Sequence, residues 1–427
     1  MAANAGERRS IGQMPYLRRQ DGLSAIERRE ERALWTVILA LAVAVAQAPP
    51  NVQVVVLPLL ALLAARATAL RVCAWAAPPP IDKTNDGRGI ASFSEFDCWR
   101  LFRFRKEDLP ALVAQLLFPA VLAIKGDKNG HVSGEYAGLY LLHRLRYPGV
   151  LADCQHEWGR EYSQCSKLFN TALDLMFALH ANKVRGNVAW YQDLFDDYNR
   201  AISFKLLEQG HLQNLNLAGP GQLPQSLSEF FGFLDCTANE ICRPGGPNPI
   251  QNAFYNGYHH GHFIIWQGVS FPDGMVVIEG PEPGYKTDTM VWASCLIRHQ
   301  LEAIMQSRLA DNPPRCRLKL YADKIYNTSP LVTAAWSLRH GPIAQWMTDE
   351  NWVMSKIRVA VEWTFGSILM LFKFVDFAKG QKLFESPLEK QYVVTVLLAN
   401  CHNCLYGDTH AEYFKCDPPT LADYLSQ

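Results

Sequence analysis

The hydrophobic period of this chain changes once along its length, and that change limits what it can fold into. Up to about residue 184 the apolar residues recur at helical spacing, as in Phe104, Leu109, Leu112 and Val113. Beyond Gly219-Pro220-Gly221 and Pro224 they alternate with a period of two or come in short unbroken runs, the mark of strands. The expectation is a helical domain over residues 93–224, followed by an α/β domain over 225–427.

In the first part, an amphipathic helix runs through Gln115-Leu116-Leu117-Phe118 to Pro119, and a second covers Tyr136–Leu145, closed by Tyr147-Pro148-Gly149. A short helix over Val150–Trp158, a turn at Gly159 and a third, polar-fronted helix from Tyr162-Ser163 have the layout of a helix-turn-helix DNA reader. Most three-helix clusters bind no DNA, so the layout alone is a weak signal. In the second part, Phe230–Asp235, His262–Ser270, Met275–Glu279 and Leu318–Ala322 read as strands. Thr289–Met305, Leu331–Leu338, Ser355–Phe374 and Leu388–Cys404 read as helices. Three strands, a helix, a strand and more helices make a mixed sheet flanked by helices.

The N-terminal region is of a different kind. Residues 1–32 are charged and read as a flexible N-terminus, and 33–92 as an apolar helical segment with a proline-rich linker. The apolar runs Ala33–Ala48 and Val52–Leu70 raise a membrane hairpin. The first is short of the roughly 20 residues a span needs, and the second holds Gln53, Pro58 and Arg66. Two soluble helices packed on the body are the favoured alternative, and a segment outside the working protein is a third. No signal peptide opens the chain, and eleven cysteines, an odd number, do not form a secreted disulfide framework. A reducing compartment, cytoplasm or nucleus, fits better. Lys+Arg and Asp+Glu are equal at 41 each, which counts mildly against a chain that grips phosphates over its whole surface.

Three acids carry the functional case. Asp235 ends the first strand, Asp323 ends the fourth, and Glu362 lies within a late helix. Glu362 borders a stripe of Met354, Ile357, Val361, Ile368 and Phe372 at helical spacing, and so sits between core and solvent. Hard Mg²⁺ or Mn²⁺ ions take oxygen ligands, and two such ions about 4 Å apart stabilise both the attacking and the leaving oxygen in phosphoryl chemistry. Singly each acid has a duller reading. An aspartate at a strand end commonly caps a turn, and Glu362 beside Arg358 makes a surface ion pair.

The segments around these acids resemble, in order, those of Harbinger-type (PIF/Harbinger) DDE transposases and the nucleases derived from them. Phe233-Leu234-Asp235-Cys236-Thr237 resembles the first-aspartate motif, and Tyr321-Ala322-Asp323-Lys324-Ile325-Tyr326 the second. Arg358-Val359-Ala360-Val361-Glu362-Trp363-Thr364-Phe365-Gly366 resembles the third-acid helix. Between them stand Tyr255-Asn256-Gly257-Tyr258-His259-His260, Gln267-Gly268-Val269, Pro272-Asp273-Gly274 and Gly284-Tyr285-Lys286-Thr287-Asp288; Leu398–Cys404, with His402-Asn403, resembles the closing helix. The likeness covers Phe93 to Leu405, roughly three quarters of the chain. Two departures are Ala322, where the family usually has Gly, and His259-His260, which replace a more basic pair.

The resemblance implies an RNase H-like fold and catalytic, metal-holding roles for Asp235, Asp323 and Glu362 with two divalent ions. It implies a water-driven cut of DNA followed by attack of the freed 3′-hydroxyl on target DNA. DNA is the implied partner, alongside a separate Myb-like DNA-binding protein; a homo-oligomer is a candidate assembly, and the nucleus the implied location. The alternative is a domesticated DNA-binding or regulatory protein that no longer cuts. Asp288 is a candidate either to cap the helix beginning at Thr289 or to support the metal ligands from behind. Lys167, Lys324 and Arg358 are candidate DNA contacts, and Lys356, Arg358, Lys373, Lys379 and Lys382 read either as an ordinary solvated face or, favoured by context, as a DNA-facing strip around the third acid. A transition-metal site at His259, His260 and His262 is disfavoured because alternating strand residues point to opposite faces. Cys401 and Cys404 read as buried thiols rather than zinc ligands, since no second cysteine pair lies nearby.

Overall fold

The computed structural model describes residues 88–127, 130–208, 223–311 and 318–426, with the single positions 37, 63 and 64. The charged segment 1–32 and, save those three positions, the apolar runs lie outside the described residues. Residues 83–427 cluster as one compact unit, and all elements below belong to it. Among the described residues no helix is long and apolar enough to cross a membrane.

Helix α1 (Glu95–Phe102) starts where the Ser94 hydroxyl accepts from Asp97 N, and it ends at Arg103 in the left-handed region, φ 69°. α2 (Leu109–Gln115) follows. Next comes a small antiparallel hairpin, β1 (Val121–Ala123) and β2 (His131–Ser133), that the helical pattern gives no hint of. α3 (Gly134–Arg146), capped by the Ser133 hydroxyl, and α4 (Leu151–Trp158) pack around Trp158. Its indole lies edge-on to Tyr136 and Tyr140 at 5.1 and 5.2 Å. Gly159 adopts φ 66° to end α4, the conformation glycine reaches without a Cβ penalty. α5 (Tyr162–Val184) then begins, so the helix–glycine–helix layout is present. α5 turns Leu168, Ala172, Leu173 and Met176 inward and leaves Ser163, Lys167 and Asn170 exposed. α6 (Phe195–Glu208) completes the helical part and lays Phe195 on Phe231 of the sheet, ring centroids 4.1 Å apart.

The sheet is built from β3 (Phe230–Glu240), β4 (Tyr255–Asn256), β5 (Gly261–Ser270), β6 (Val276–Pro283), β7 (Lys319–Ala322) and β8 (Val332–Ala334). α7 (Asn248–Phe254) connects β3 to β4. The order is β6-β5-β3-β7-β8, with β4 adding at the start of β5. β3, β5 and β6 pair antiparallel, whereas β7 runs parallel to β3 and β8 parallel to β7. An antiparallel meander continued by two parallel strands, curled and flanked by helices, is the RNase H-like α/β arrangement expected. Phe230, Phe231, Phe233 and Leu234 are all buried because helices cover the sheet, which is why this stretch of β3 reads as an unbroken apolar run.

α8 (Asp288–Ala293) and α9 (Leu296–Asp311) lie between β6 and β7, and α10 (Gln345–Leu371), α11 (Leu388–Tyr406), α12 (Thr409–Phe414) and α13 (Leu421–Leu425) follow β8. Two expectations need correction here. The helix expected over Thr289–Met305 is broken at Ser294-Cys295, because the Glu279 carboxylate accepts from Leu296 N and Ile297 N (2.8 and 2.9 Å) and so caps a fresh helix. The helix expected over Leu331–Leu338 is instead strand β8 followed by a 3₁₀ turn at Leu338–His340. Val332 and Thr333 pair with Leu320 and Tyr321, as their β-branched side chains favour. α10 also begins ten residues earlier than the expected Ser355.

A candidate active site at the end of the parallel ladder

β3 and β7 run side by side until Leu234 and Ala322, the last pair in register. The next residue on each strand is an aspartate, Asp235 and Asp323, so the register alone makes them neighbours. Asp235 does not end its strand, contrary to the sequence reading. β5 goes on pairing with β3 as far as Glu240, and it is β7 that departs. The sheet therefore has a step, and Asp235 stands on it. Its partner across the antiparallel ladder is Gly268, and a Cβ on Gly268 would run into the Phe365 ring of α10. Side chains of paired strand residues share a face, so Asp235 faces α10, the helix that carries Glu362.

Burial pushes the Asp235 carboxyl up to about 6; Asp288 and Asp323 push the same way, against Arg358 and the Cys236 N–H. That N–H donates to Asp235 Oδ1 at 2.9 Å. Asp323 is half-buried, and its Oδ1 accepts from Lys324 N at 2.7 Å. Asp288 opens α8; burial raises its carboxyl too, Asp323 adds to the rise, and a hydrogen bond from the Cys236 thiol and the charge of His259 oppose it. Asp235, Asp288 and Asp323 thus form one electrostatically linked group of carboxylates.

Glu362 joins that group through a cation. Arg358, one turn earlier on α10, places Nη1 3.6 Å from Asp235 Oδ2 and Nη2 3.5 Å from Glu362 Oε1. The Glu362 side chain is 62% exposed, against 22% for Asp235. The stripe beneath it is as expected for Met354, Ile357, Ile368 and Phe372, all buried. Among the described residues no three His, Cys, Asp or Glu side chains converge closely enough to hold a metal ion as they stand.

A buried cross-tie lies beneath the acids. Gln267 Nε2 donates to the Asp235 carbonyl at 2.8 Å and to the Tyr326 hydroxyl at 3.1 Å. Tyr326 N in turn donates to the Asp323 carbonyl at 3.1 Å, in the turn that leaves β7. One side-chain amide therefore links the backbones that carry the two aspartates. Spacing in the sequence gives no sign of it, because the three residues come from three separate elements.

The other candidates fall elsewhere. Lys324 is exposed beside Asp323, while Lys167 on α5 donates to the Gly126 carbonyl at 2.9 Å, a contact within the helical part. Arg358 turns toward two carboxylates, the ion pair that its spacing from Glu362 offered as the duller reading. His260 sits in the turn before β5 at φ 54°, and His262 pairs with Tyr255 at the strand's start. Cys401 is buried on α11 and Cys404 half-buried, both as free thiols. Between them, burial pushes His402 down to about 4, among the rings of Trp99, Phe104 and Tyr406. Asn403 Nδ2 donates to the Asp273 carbonyl at 2.8 Å, fastening α11 to the β5–β6 turn.

No curated protein and no solved structure matches this chain. Residues 234–400 match the family model described as DDE superfamily endonuclease. The matched stretch opens one residue before Asp235 and takes in Asp288, Asp323 and Glu362.

Proposed function

We propose that this chain is a Harbinger-type DDE transposase-nuclease that hydrolyses DNA phosphodiesters and then transfers the freed 3′-hydroxyl to target DNA. The observation that carries the reading is the pairing of Leu234 with Ala322, which sets Asp235 and Asp323 side by side at an open step of the sheet, facing the helix of Glu362. The ordered likeness of the surrounding segments supports the Harbinger kind.

The donor types, all carboxylate oxygens, suit divalent metal ions of the hard class. Every candidate ligand is a carboxylate, and that of the half-buried Asp235 is raised to about 6, first by desolvation and then by the neighbouring Asp288 and Asp323. Asp235, Asp323 and Glu362 would hold the ions, with Asp288 supporting them through Cys236. Bound there, Mg²⁺ or Mn²⁺ supplies charge stabilisation for the attacking and leaving oxygens. The chain's own part is to hold the scissile phosphate in line with water between the strand ends and α10. Water adds its oxygen to phosphorus, the bond to the 3′ oxygen breaks, and the proton ends on that oxygen as the new 3′-hydroxyl. Lys324, exposed beside Asp323, would meet the DNA backbone.

The equal numbers of basic and acidic residues favour a supplementary DNA-gripping protein of the Myb-like class, and action in the nucleus follows from a chromosomal substrate. The same balance, with Arg358 already engaged by the acids, is what favours the second reading, a DNA-binding or regulatory protein that does not cut. Cleavage of duplex DNA by the full chain in Mg²⁺ or Mn²⁺ separates the two. We expect cleavage, and a loss of at least about 100-fold in Asp323→Asn. Activity surviving in that variant would sink the mechanism, and tight binding with no cutting by the wild type would favour the second reading.

A further inference from the structure

We infer that Arg358 changes partners during the reaction: it neutralises Asp235 and Glu362 while the site holds no metal, and turns to the phosphate being cut once divalent ions occupy the acids. The inference rests on the metal-dependent reading above, and it assigns to Arg358 a catalytic role that is more than a surface contact.

The geometry is that of a stand-in. A guanidinium fork binds one carboxylate through two short charge-assisted bonds of about 2.7–2.9 Å. Here the fork is split between two carboxylates on different elements, at 3.6 and 3.5 Å. Both contacts are too long for such bonds, so they act as charge neutralisation and lock neither partner. The two partners also differ. Glu362 is mostly exposed, and an exposed pair is readily exchanged for water. Asp235 is half-buried and loses enough water to need a cation close by, which Arg358 provides at the mouth of the step.

Charge balance gives the direction of the exchange. Asp235, Asp288 and Asp323 act on one another, Glu362 joins them only through Arg358, and that single cation faces four carboxylates. Two divalent ions would offset all four and leave the guanidinium surplus and repelled. A planar fork released at that place matches the two unbridged oxygens of a phosphate. The Arg358 side chain is 27% exposed, so it can turn outward without leaving an unpaired charge in the core.

The test is Mn²⁺ binding to the full chain without DNA, followed by electron paramagnetic resonance, together with cleavage kinetics. For Arg358→Gln we expect Mn²⁺ bound about tenfold more tightly than by wild type, since a competing cation is gone. The same variant should cleave about 100-fold more slowly in kcat, with KM moving far less. A merely structural arginine would give weaker metal binding when removed, not stronger. Arg358→Lys, which keeps the charge but not the fork, should bind Mn²⁺ like wild type and still cleave slowly. Unchanged or weakened Mn²⁺ affinity in Arg358→Gln, or a wild-type kcat in either variant, overturns the exchange. Asp235→Asn serves as the reference: if it keeps wild-type Mn²⁺ affinity, the acid site itself is not the metal site, and both readings fall together.

Discussion

Asp235 carries a conflict that can be measured. Its carboxyl has an ordinary value of 3.8 and is raised to about 6 in the fold. Between those values the folded chain keeps a proton that the unfolded chain has released, so stability falls as pH rises through that window. Asp273, raised by burial to about 7, acts in the same sense, but it contributes equally to any pair of proteins that both contain it. In chelator, then, the stability of Asp235→Asn relative to wild type should be near zero at pH 3.5. By pH 7.5 the variant should be the more stable, by on the order of 2 kcal/mol. Thermal melts at the two pH values decide the matter; a wild type that is more stable at pH 7.5 would mean that Arg358 outweighs burial. The identity of this aspartate was legible in the chain, from the apolar run before it and the motif around it. Its burial was not, because that comes from α10 packing across the sheet.

Elements show a similar division. The helix–glycine–helix unit, the β5–β6 hairpin and α11 were readable, since each is set by local period, turn residues and caps. The boundaries that failed were set from a distance. Glu279 splits what reads as one helix, although it lies on β6, well before the break. Val332 and Thr333 become a strand where β7 offers a free edge. β3 outlasts its expected end because β5 continues to pair with it. The approach of α10 depends in the same way on a residue with no side chain. In Gly268→Ala the new methyl would occupy the place of the Phe365 ring. We expect a destabilisation of about 1–3 kcal/mol in denaturant titration, from overpacking. Cleavage should fall in the same variant, because the helix of Glu362 is pushed away from the step. A variant as stable as wild type would show that α10 is free to shift.

At the scale of the whole molecule, the change of hydrophobic period after position 224 marks a change of architecture more clearly than a physical division. One continuous core includes Leu168 and Leu173 of α5 together with Val396 and Leu397 of α11, and α5 packs along α11. The Phe169 and Phe374 rings meet at 5.4 Å across the same seam. Residues 225–427 expressed alone should therefore expose a broad apolar face and aggregate, and residues 83–427 should melt in one cooperative transition. Two separated transitions in calorimetry would contradict this. The step in the sheet has a consequence of another order. It arises from where backbone pairing stops, after Leu234 and Ala322. On the proposed function, losing the ability to cut and losing the ability to fold are therefore separable events. A lineage could trade an acid for an amide in a single mutation, keep every strand in register, and leave an intact scaffold for selection to put to another use.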